Sequence, residues 1–151
     1  MNKNLEKQLK ETYISWNSIN GLYSTWAKKR GVNAHTLFTL YAIYNDRDNC
    51  CQSKICDEWF MPKQTVSSIL KELERKGCIF YESDANDRRN KIIKLTDSGL
   101  SYADGILGKL YGIEVSVLDK MGSELRQNMI DANNLFYKLL KEEMVEDELE
   151  W

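Results

Sequence analysis

Apolar side chains recur at intervals of three and four residues through most of this chain, which is the spacing of one buried helix face. The first stripe, in residues 4–29, is formed by Leu5, Leu9, Tyr13, Trp16, Ile19, Tyr23 and Trp26. Further stripes predict helices at about residues 34–46, 51–60, 62–77, 97–120 and 124–146. Asn33 and either Thr96 or Asp97 are suitable N-caps, and Gly122-Ser123 interrupts the pattern between the last two helices.

The pattern changes between residues 78 and 95, where two short apolar runs flank a polar segment. Cys78-Ile79-Phe80-Tyr81 and Lys91-Ile92-Ile93-Lys94-Leu95 have the composition of short strands. Residues 83–90, with the sequence SDANDRRN, are too polar to be buried. The three segments together predict a hairpin with a charged loop.

The helix before this hairpin combines an apolar face with a polar one. Pro62 suits its first position, where a missing N–H and a fixed φ cost nothing, and Gly77 suits its end. The apolar face is formed by Val66, Ile69, Leu70 and Leu73. The opposite face carries Lys63, Gln64, Ser67, Ser68, Lys71 and Arg75. A helix with polar groups on its free face, followed by a basic hairpin, can contact a nucleic-acid duplex in two places.

Two sequence patterns in this region resemble the winged-helix core of the MarR (multiple antibiotic resistance regulator) family of bacterial transcription factors. One is Thr65-Val66-Ser67 followed by Leu73-Glu74-x-Lys76-Gly77, and the other is Asp87-x-Arg89 followed, after five residues, by Leu95-Thr96-x-x-Gly99. The resemblance is strongest over residues 50–99. It implies a mainly α fold with a small β-hairpin wing, in which a winged helix-turn-helix is flanked by long dimerisation helices.

The resemblance also implies a division of labour within one subunit, residues 1–151. Residues 33–96 would form the DNA-binding lobe, and residues 4–30 and 97–146 the helical dimerisation lobe. The long helices carry apolar stripes that a winged helix cannot cover, so we expect a second copy of the chain to cover them. Such a homodimer would bind a palindromic operator in double-stranded DNA, with two recognition helices in successive major grooves.

The family's DNA contacts map onto two sets of positions here. Recognition-helix positions that would reach base edges or phosphates are Lys63, Gln64, Thr65, Ser67, Ser68 and Lys71. In the wing, Arg89 takes the place of a minor-groove arginine and Asp87 can hold its guanidinium, while Arg88 and Lys91 would meet phosphates. The alternatives are an ordinary solvated helix face and an exposed charged turn.

Charge is distributed unevenly along the chain. The net charge of the 151 residues is −2, which by itself argues against a nucleic-acid binder. Between Pro62 and Lys94, however, eight basic and five acidic residues give +3, and residues 142–151 contain six acids and no base. The local field therefore favours DNA binding more than the total does. The modest size of that field leaves a second interpretation open, a protein-interaction module that has kept the fold and lost DNA binding.

The aromatic residues of the first two helices have two readings. Aromatic stripes at helical spacing usually form core. In the resembled family the ligand pocket lies between these helices and the DNA-binding lobe. A small aromatic or anionic ligand would then contact Trp16, Tyr23, His35, Phe38 and Tyr41. Such a ligand would regulate a repressor.

The four cysteines do not have the spacing of a metal site. The sequence contains no C-x-x-C pair, and its one histidine, His35, is distant from Cys50, Cys51, Cys56 and Cys78. Cys50, Cys56 and Cys78 fall at positions that the family fills with small or aliphatic core residues. Cys51 falls near the start of the third helix, where a lowered thiol pKa would make it an oxidation sensor.

No pattern in the sequence indicates catalysis, a cofactor or a membrane span. There is no nucleophile elbow, no Walker loop and no G-x-G-x-x-G. No apolar run approaches the ~20 residues of a membrane helix, and the N-terminal MNKNLEKQLKE lacks the apolar segment of a signal peptide. We therefore expect a cytoplasmic protein that is not an enzyme and that needs neither metal nor cofactor.

Overall fold

A computed structural model describes residues 2–83 and 91–146, and within them the chain is mainly helical with one antiparallel hairpin. The elements are α1 (Lys3–Lys28), α2 (Ala34–Asn45), α3 (Gln52–Trp59), α4 (Lys63–Arg75), β1 (Ile79–Ser83), β2 (Lys91–Leu95) and α5 (Asp97–Glu146). The predicted fold class is confirmed. The described residues up to Lys109 form one compact unit, and those from Leu110 onward form a second.

The helix starts follow the predicted capping. Asn33 Oδ1 accepts a hydrogen bond from Thr36 N at 2.8 Å, and Thr96 Oγ1 accepts one from Gly99 N at 3.0 Å. Each satisfies a backbone donor that has no partner inside its own helix. The sequence left Thr96 and Asp97 open as the cap of α5, and the hydrogen bond assigns that role to Thr96.

The predicted position of Pro62 in the helix is corrected by one residue. The sequence predicted it as the first helical residue, but its ψ of 133° is extended and it lies before α4, at the N-cap. Its carbonyl oxygen already accepts from Val66 N at 3.1 Å, the first helical hydrogen bond. Pro62 therefore starts α4 from outside the helix. The fixed φ of proline suits that position as well, which is why composition alone did not separate the two.

The core of the first unit lies between α2, α3, α4 and the hairpin. It contains the fully buried side chains of Leu37, Leu40, Ile43, Ile55, Val66, Leu70, Leu73 and Ile93. The apolar face predicted for α4 is therefore buried, apart from Ile69, which is half-buried. Burial of each such aliphatic side chain stabilises the fold by roughly 1.5–3 kcal/mol.

The hairpin leads directly into α5 through a tight junction. β1 pairs with β2 from Ile79 opposite Leu95 to Ser83 opposite Lys91, so β1 begins one residue later than predicted. Cys78 instead uses its carbonyl oxygen to accept from Thr96 N at 3.0 Å. The hydroxyls of Thr96 and Ser98 donate to Gly77 O at 2.6 and 3.0 Å. The end of α4 and the start of α5 are therefore hydrogen-bonded to each other.

The second unit is helical with one interruption. Gly122 has a φ of 74° and a ψ of 160°, which no helical residue adopts, so the predicted break is confirmed within a continuous helical segment. Beside the break, the Arg126 guanidinium donates to Leu118 O at 2.7 Å. None of the helices in the described ranges is long and apolar enough to cross a membrane.

Candidate nucleic-acid interface

The polar face of α4 is largely accessible. Lys63, Gln64, Ser68 and Lys71 are exposed, whereas Thr65 and Ser67 are half-buried. Within the described part of the chain, neither Lys63 nor Lys71 takes part in an ion pair. The helix therefore presents ammonium, amide and hydroxyl groups together, which can donate hydrogen bonds to phosphates and bases.

The turn that joins α3 to α4 sets the start of this face. Phe60 has a φ of 48°, in the left-handed region, and its side chain is 76% exposed. Met61 N donates to Cys56 O at 3.3 Å, and Gln52 Nε2 donates to Lys63 O at 3.3 Å. The two helices are thus closed into a helix-turn-helix whose second helix is free on its polar side.

The C-terminal turn of α4 has a different charge arrangement. Arg75 donates to the Glu72 carboxylate at 2.9 and 2.8 Å, and the Lys76 ammonium lies 3.3 Å from the same carboxylate. These two cations hold the pKa of Glu72 at about 2, mainly through the hydrogen bond from Arg75. The positive charge of Arg75 and Lys76 is therefore shared with an acid, and the unshared cations of α4 are Lys63 and Lys71.

The base of the hairpin supplies a further cation. Lys91 is exposed at the start of β2, with its Nζ 5.7 Å from the ring centroid of Tyr81. The other predicted wing residues, Asp87, Arg88 and Arg89, lie outside the described residues. Their assignment as DNA contacts stays a prediction.

A cleft of about 750 Å³ lies between α3, α4 and the hairpin, and it places two thiols on the same side as the predicted DNA contacts. Its lining includes Cys51, Cys56, Lys63, Ser67, Lys71 and Lys91. Sequence reasoning did not find this grouping, because the residues come from three elements and carry no common spacing. The lining also includes Asp57 and Glu74, so the three lysines exceed the acids of the cleft by one charge.

The cysteines divide into two pairs by burial. Cys50 and Cys78 are buried as expected of core residues, and burial raises the pKa of the Cys50 thiol to about 12. Cys56 is half-buried rather than part of the core, and its pKa is also raised by desolvation. Cys51 lies before α3, with its Sγ 3.1 Å from Ser53 Oγ. The described residues contain no cluster of metal-binding side chains.

The structure brings together three of the five residues predicted to contact a small ligand. The rings of Tyr23 and Phe38 are 5.4 Å apart, and Trp59 lies 5.5 Å from Phe38 and 5.6 Å from Tyr41. Trp59 of α3 was missed, because it lies outside the two helices whose stripes were considered. The result is an aromatic group that joins α1, α2 and α3.

The other two predicted ligand residues, Trp16 and His35, have different surroundings. Trp16 packs edge to face on Tyr13 at 5.9 Å, and His35 is exposed in the first turn of α2. Arg30, a cation near this region, stacks over the Trp26 ring at 3.3 Å from its centroid. Its guanidinium is thus already engaged by an aromatic face.

Comparisons with known proteins agree with this geometry. A model of the MarR family matches residues 30–90. The transcriptional regulator SarZ of Staphylococcus aureus is 29% identical over 123 residues, which cover 82% of this chain and 80% of SarZ.

Two solved structures share the fold. NMB1585, a MarR family regulator from Neisseria meningitidis, superposes with a TM-score of 0.81 at 23% identity, covering 97% of this chain and 99% of that one. The S. aureus MepR–DNA complex superposes with a TM-score of 0.69 at 22% identity, covering 85% and 93%.

Proposed function

We propose that the chain is a member of the MarR family and a sequence-specific DNA-binding transcriptional regulator. The observation that carries the proposal is the free polar face of α4 beside a hairpin whose base carries Lys91. A relative of the same fold has been solved in a DNA complex, which supports this use of the face. DNA binding places the protein in the cytoplasm.

Each predicted contact has a role set by its chemistry. Gln64 is exposed and can pair with the hydrogen-bonding edge of adenine, while Thr65, Ser67 and Ser68 offer hydroxyls to bases or phosphates. Lys63, Lys71 and Lys91 neutralise phosphates. Three further contacts are proposed from the sequence alone: Arg89 to a minor groove, Asp87 to hold the Arg89 guanidinium, and Arg88 to a phosphate.

The regulator acts as a homodimer on a palindromic operator. In α1, only Ala27 is buried, whereas Leu5, Leu9, Tyr13 and Ile19 are between 44% and 61% exposed. The helical segment beyond Leu110 also exposes many apolar side chains, among them Leu125, Leu135 and Leu139. A second copy that covers these stripes would present two α4 helices to successive major grooves about one helical turn apart.

The regulator acts as a repressor, and a small aromatic or anionic ligand releases it from DNA. The aromatic group of Tyr23, Phe38 and Tyr41 joins α1 to the helices that support α4. Trp16 of α1 and His35 of α2 are the other two residues that we propose for this ligand. A ligand that separates these rings would change the position of α4, and DNA binding depends on the spacing of two such helices.

A mobility-shift titration with random duplex DNA at low salt tests the proposal. A winged-helix regulator binds such DNA through phosphates, with an affinity that falls steeply as salt increases. The competing function, a protein-interaction module, is favoured by the net charge of −2 and predicts no shift at any salt concentration. Absence of a shift at low salt, with the protein folded, would therefore decide against DNA binding.

A further inference from the structure

A lysine on the second strand of the hairpin is held against the turn that precedes α3. Lys94 Nζ donates to Arg47 O at 2.8 Å and to Asp48 Oδ1 at 3.1 Å. The Lys94 side chain is only 22% exposed, although Asp48 is 90% exposed. Lys91 and Lys94 are three residues apart on the strand and so face opposite sides of the hairpin. Lys94 therefore lies on the face of β2 opposite the buried Ile93, where these two hydrogen bonds hold it against the turn.

The turn that receives Lys94 is itself fixed on both sides. Cys50 N donates to Asp46 O at 3.0 Å, and the Asp46 carboxylate pairs with the ammonium of Lys54 in α3. Next to Lys94, Ile93 N donates to Cys50 O at 2.8 Å. A continuous series of hydrogen bonds thus runs from β2 through the turn to α3, which packs against α4.

We propose that Lys94 and Asp48 form a positioning pair, which holds the hairpin in place relative to α4 so that both reach DNA together. The inference rests on the proposed DNA binding. Neither side chain of the pair contacts DNA itself. A hairpin that is held before binding does not have to be ordered during binding, and this improves affinity without adding a contact. The competing assignment is that Lys94 is one more phosphate contact.

The two assignments predict opposite effects of Asp48→Asn on DNA affinity. Fluorescence anisotropy with a labelled random duplex, at several salt concentrations, compares the parent with Lys94→Met, Asp48→Asn and the double variant. Loss of the pair should weaken binding about two- to tenfold in either single variant, the range for one hydrogen bond. Asp48→Asn removes a negative charge, which by itself would strengthen binding. In the Lys94→Met background it should no longer weaken binding, and Lys94→Arg, which keeps the donors, should retain most of the affinity.

Matched controls separate the pair from general charge effects. Asp57→Asn makes the same change at an exposed acid of α3 that lines the cleft, and it should strengthen binding or leave it unchanged. Lys91→Met removes an exposed lysine of the same strand. It should lower the slope of log affinity against log salt by about one, and its effect should add to that of Asp48→Asn.

Affinities are measured at a temperature where the unfolding curve of each variant shows it fully folded. A variant that only lowers the melting temperature and leaves affinity unchanged would reduce the pair to a structural role and overturn the proposal. So would Asp48→Asn behaving like Asp57→Asn, or additive losses in the double variant. If the parent itself fails to bind duplex DNA at low salt, the proposed function has failed instead, and the parent curve distinguishes the two results.

Discussion

At the scale of single residues, the lack of space around Gly99 explains why the pattern Leu95-Thr96-x-x-Gly99 ends in glycine. A Cβ built on Gly99 would lie 1.7 Å from Cys78 O, which is far inside van der Waals contact. The obstacle is backbone rather than a flexible side chain, so no rotamer change relieves it. In the sequence, Gly99 was identified only as part of a family pattern. The structure shows the physical reason for it, which is the close approach of the Cys78 backbone to the start of α5.

Gly99→Ala should therefore lower the free energy of unfolding by more than about 2 kcal/mol, because the junction has to open to admit the methyl group. Urea titration followed by circular dichroism measures the loss. The matched control is Gly105→Ala in the same helix, where nothing lies within 4 Å of the added Cβ. That change should stabilise the protein by roughly 0.5–1 kcal/mol through helix propensity. Equal behaviour of the two variants would contradict the packing argument.

The thiols should react with a maleimide in two groups. Cys51 and Cys56 are half-buried in the cleft and should be labelled in the folded protein, whereas Cys50 and Cys78 are buried and should require unfolding. Because the pKa of Cys56 is raised, its labelling rate should still increase as the pH rises past 9. Peptide mass spectrometry after timed labelling identifies each site. Labelling of Cys50 as fast as Cys51 would contradict the burial pattern.

At the scale of elements, the two ends of α4 differ in charge arrangement. The ion pairs of its last turn should make the stability of the protein depend on pH. The folded pKa of Glu72 is about 2, below its ordinary 4.5. A depressed carboxyl pKa contributes stability that is present above the unfolded pKa and is lost as the pH falls through the folded one. The contribution of Glu72 should therefore disappear between about pH 4.5 and pH 2.

Glu72→Gln tests that window. The variant should be less stable than the parent at pH 7, and the difference should shrink as the pH falls below about 4.5. Thermal unfolding at a series of pH values provides the comparison. Glu74→Gln, an exposed acid of the same helix outside the pairs with Arg75 and Lys76, is the control. A difference that stays constant down to pH 2 would mean that Arg75 and Lys76 do not stabilise the carboxylate.

Periodicity predicted every helix of the described chain to within a few residues, because the apolar side chains of each helix recur along one face, whether this subunit buries that face or leaves it exposed. It did not place Pro62 outside α4 or shift the start of β1 from Cys78 to Ile79, because composition does not reveal which carbonyl accepts the next hydrogen bond. The polar face of α4 was predictable from spacing. The pairing of Arg75 with Glu72, and of Lys94 with Asp48, was not, since side-chain conformation and long-range contacts decide them.

The two kinds of contact in α4 can be separated on DNA. Gln64→Ala should cost roughly 1–3 kcal/mol on the operator and little on random duplex, with an unchanged salt slope, because no charge is lost. Lys71→Met should weaken binding to all sequences and lower the salt slope by about one. Anisotropy titrations on both duplexes measure the four curves. If Gln64→Ala weakens both duplexes equally, Gln64 does not read a base.

At the scale of the whole molecule, the apolar stripes of α1 and of the segment beyond Leu110 are exposed in a single subunit, and we expect an interface to bury them. We expect a dimer at micromolar concentration, with a sedimentation mass about twice the 17.6 kDa of the chain. Leu9→Glu in α1 should shift the equilibrium toward monomer by placing a charge in the interface. Lys10→Glu, its exposed polar neighbour, is the control. Sedimentation of the parent at 17.6 kDa would contradict the dimer.

The junction at Gly77 has a mechanical consequence. The carbonyl oxygen of Gly77, just past the last turn of α4, is held by two hydroxyls from the first turn of α5. These two hydrogen bonds hold the start of α5 against the chain just past α4, so a movement of that start has to move the end of α4 with it. A tilt of the first turns of α5 is therefore transmitted to α4 as a change of angle, and at the far end of a helix that is 13 residues long this becomes a displacement of Lys63 and Gln64.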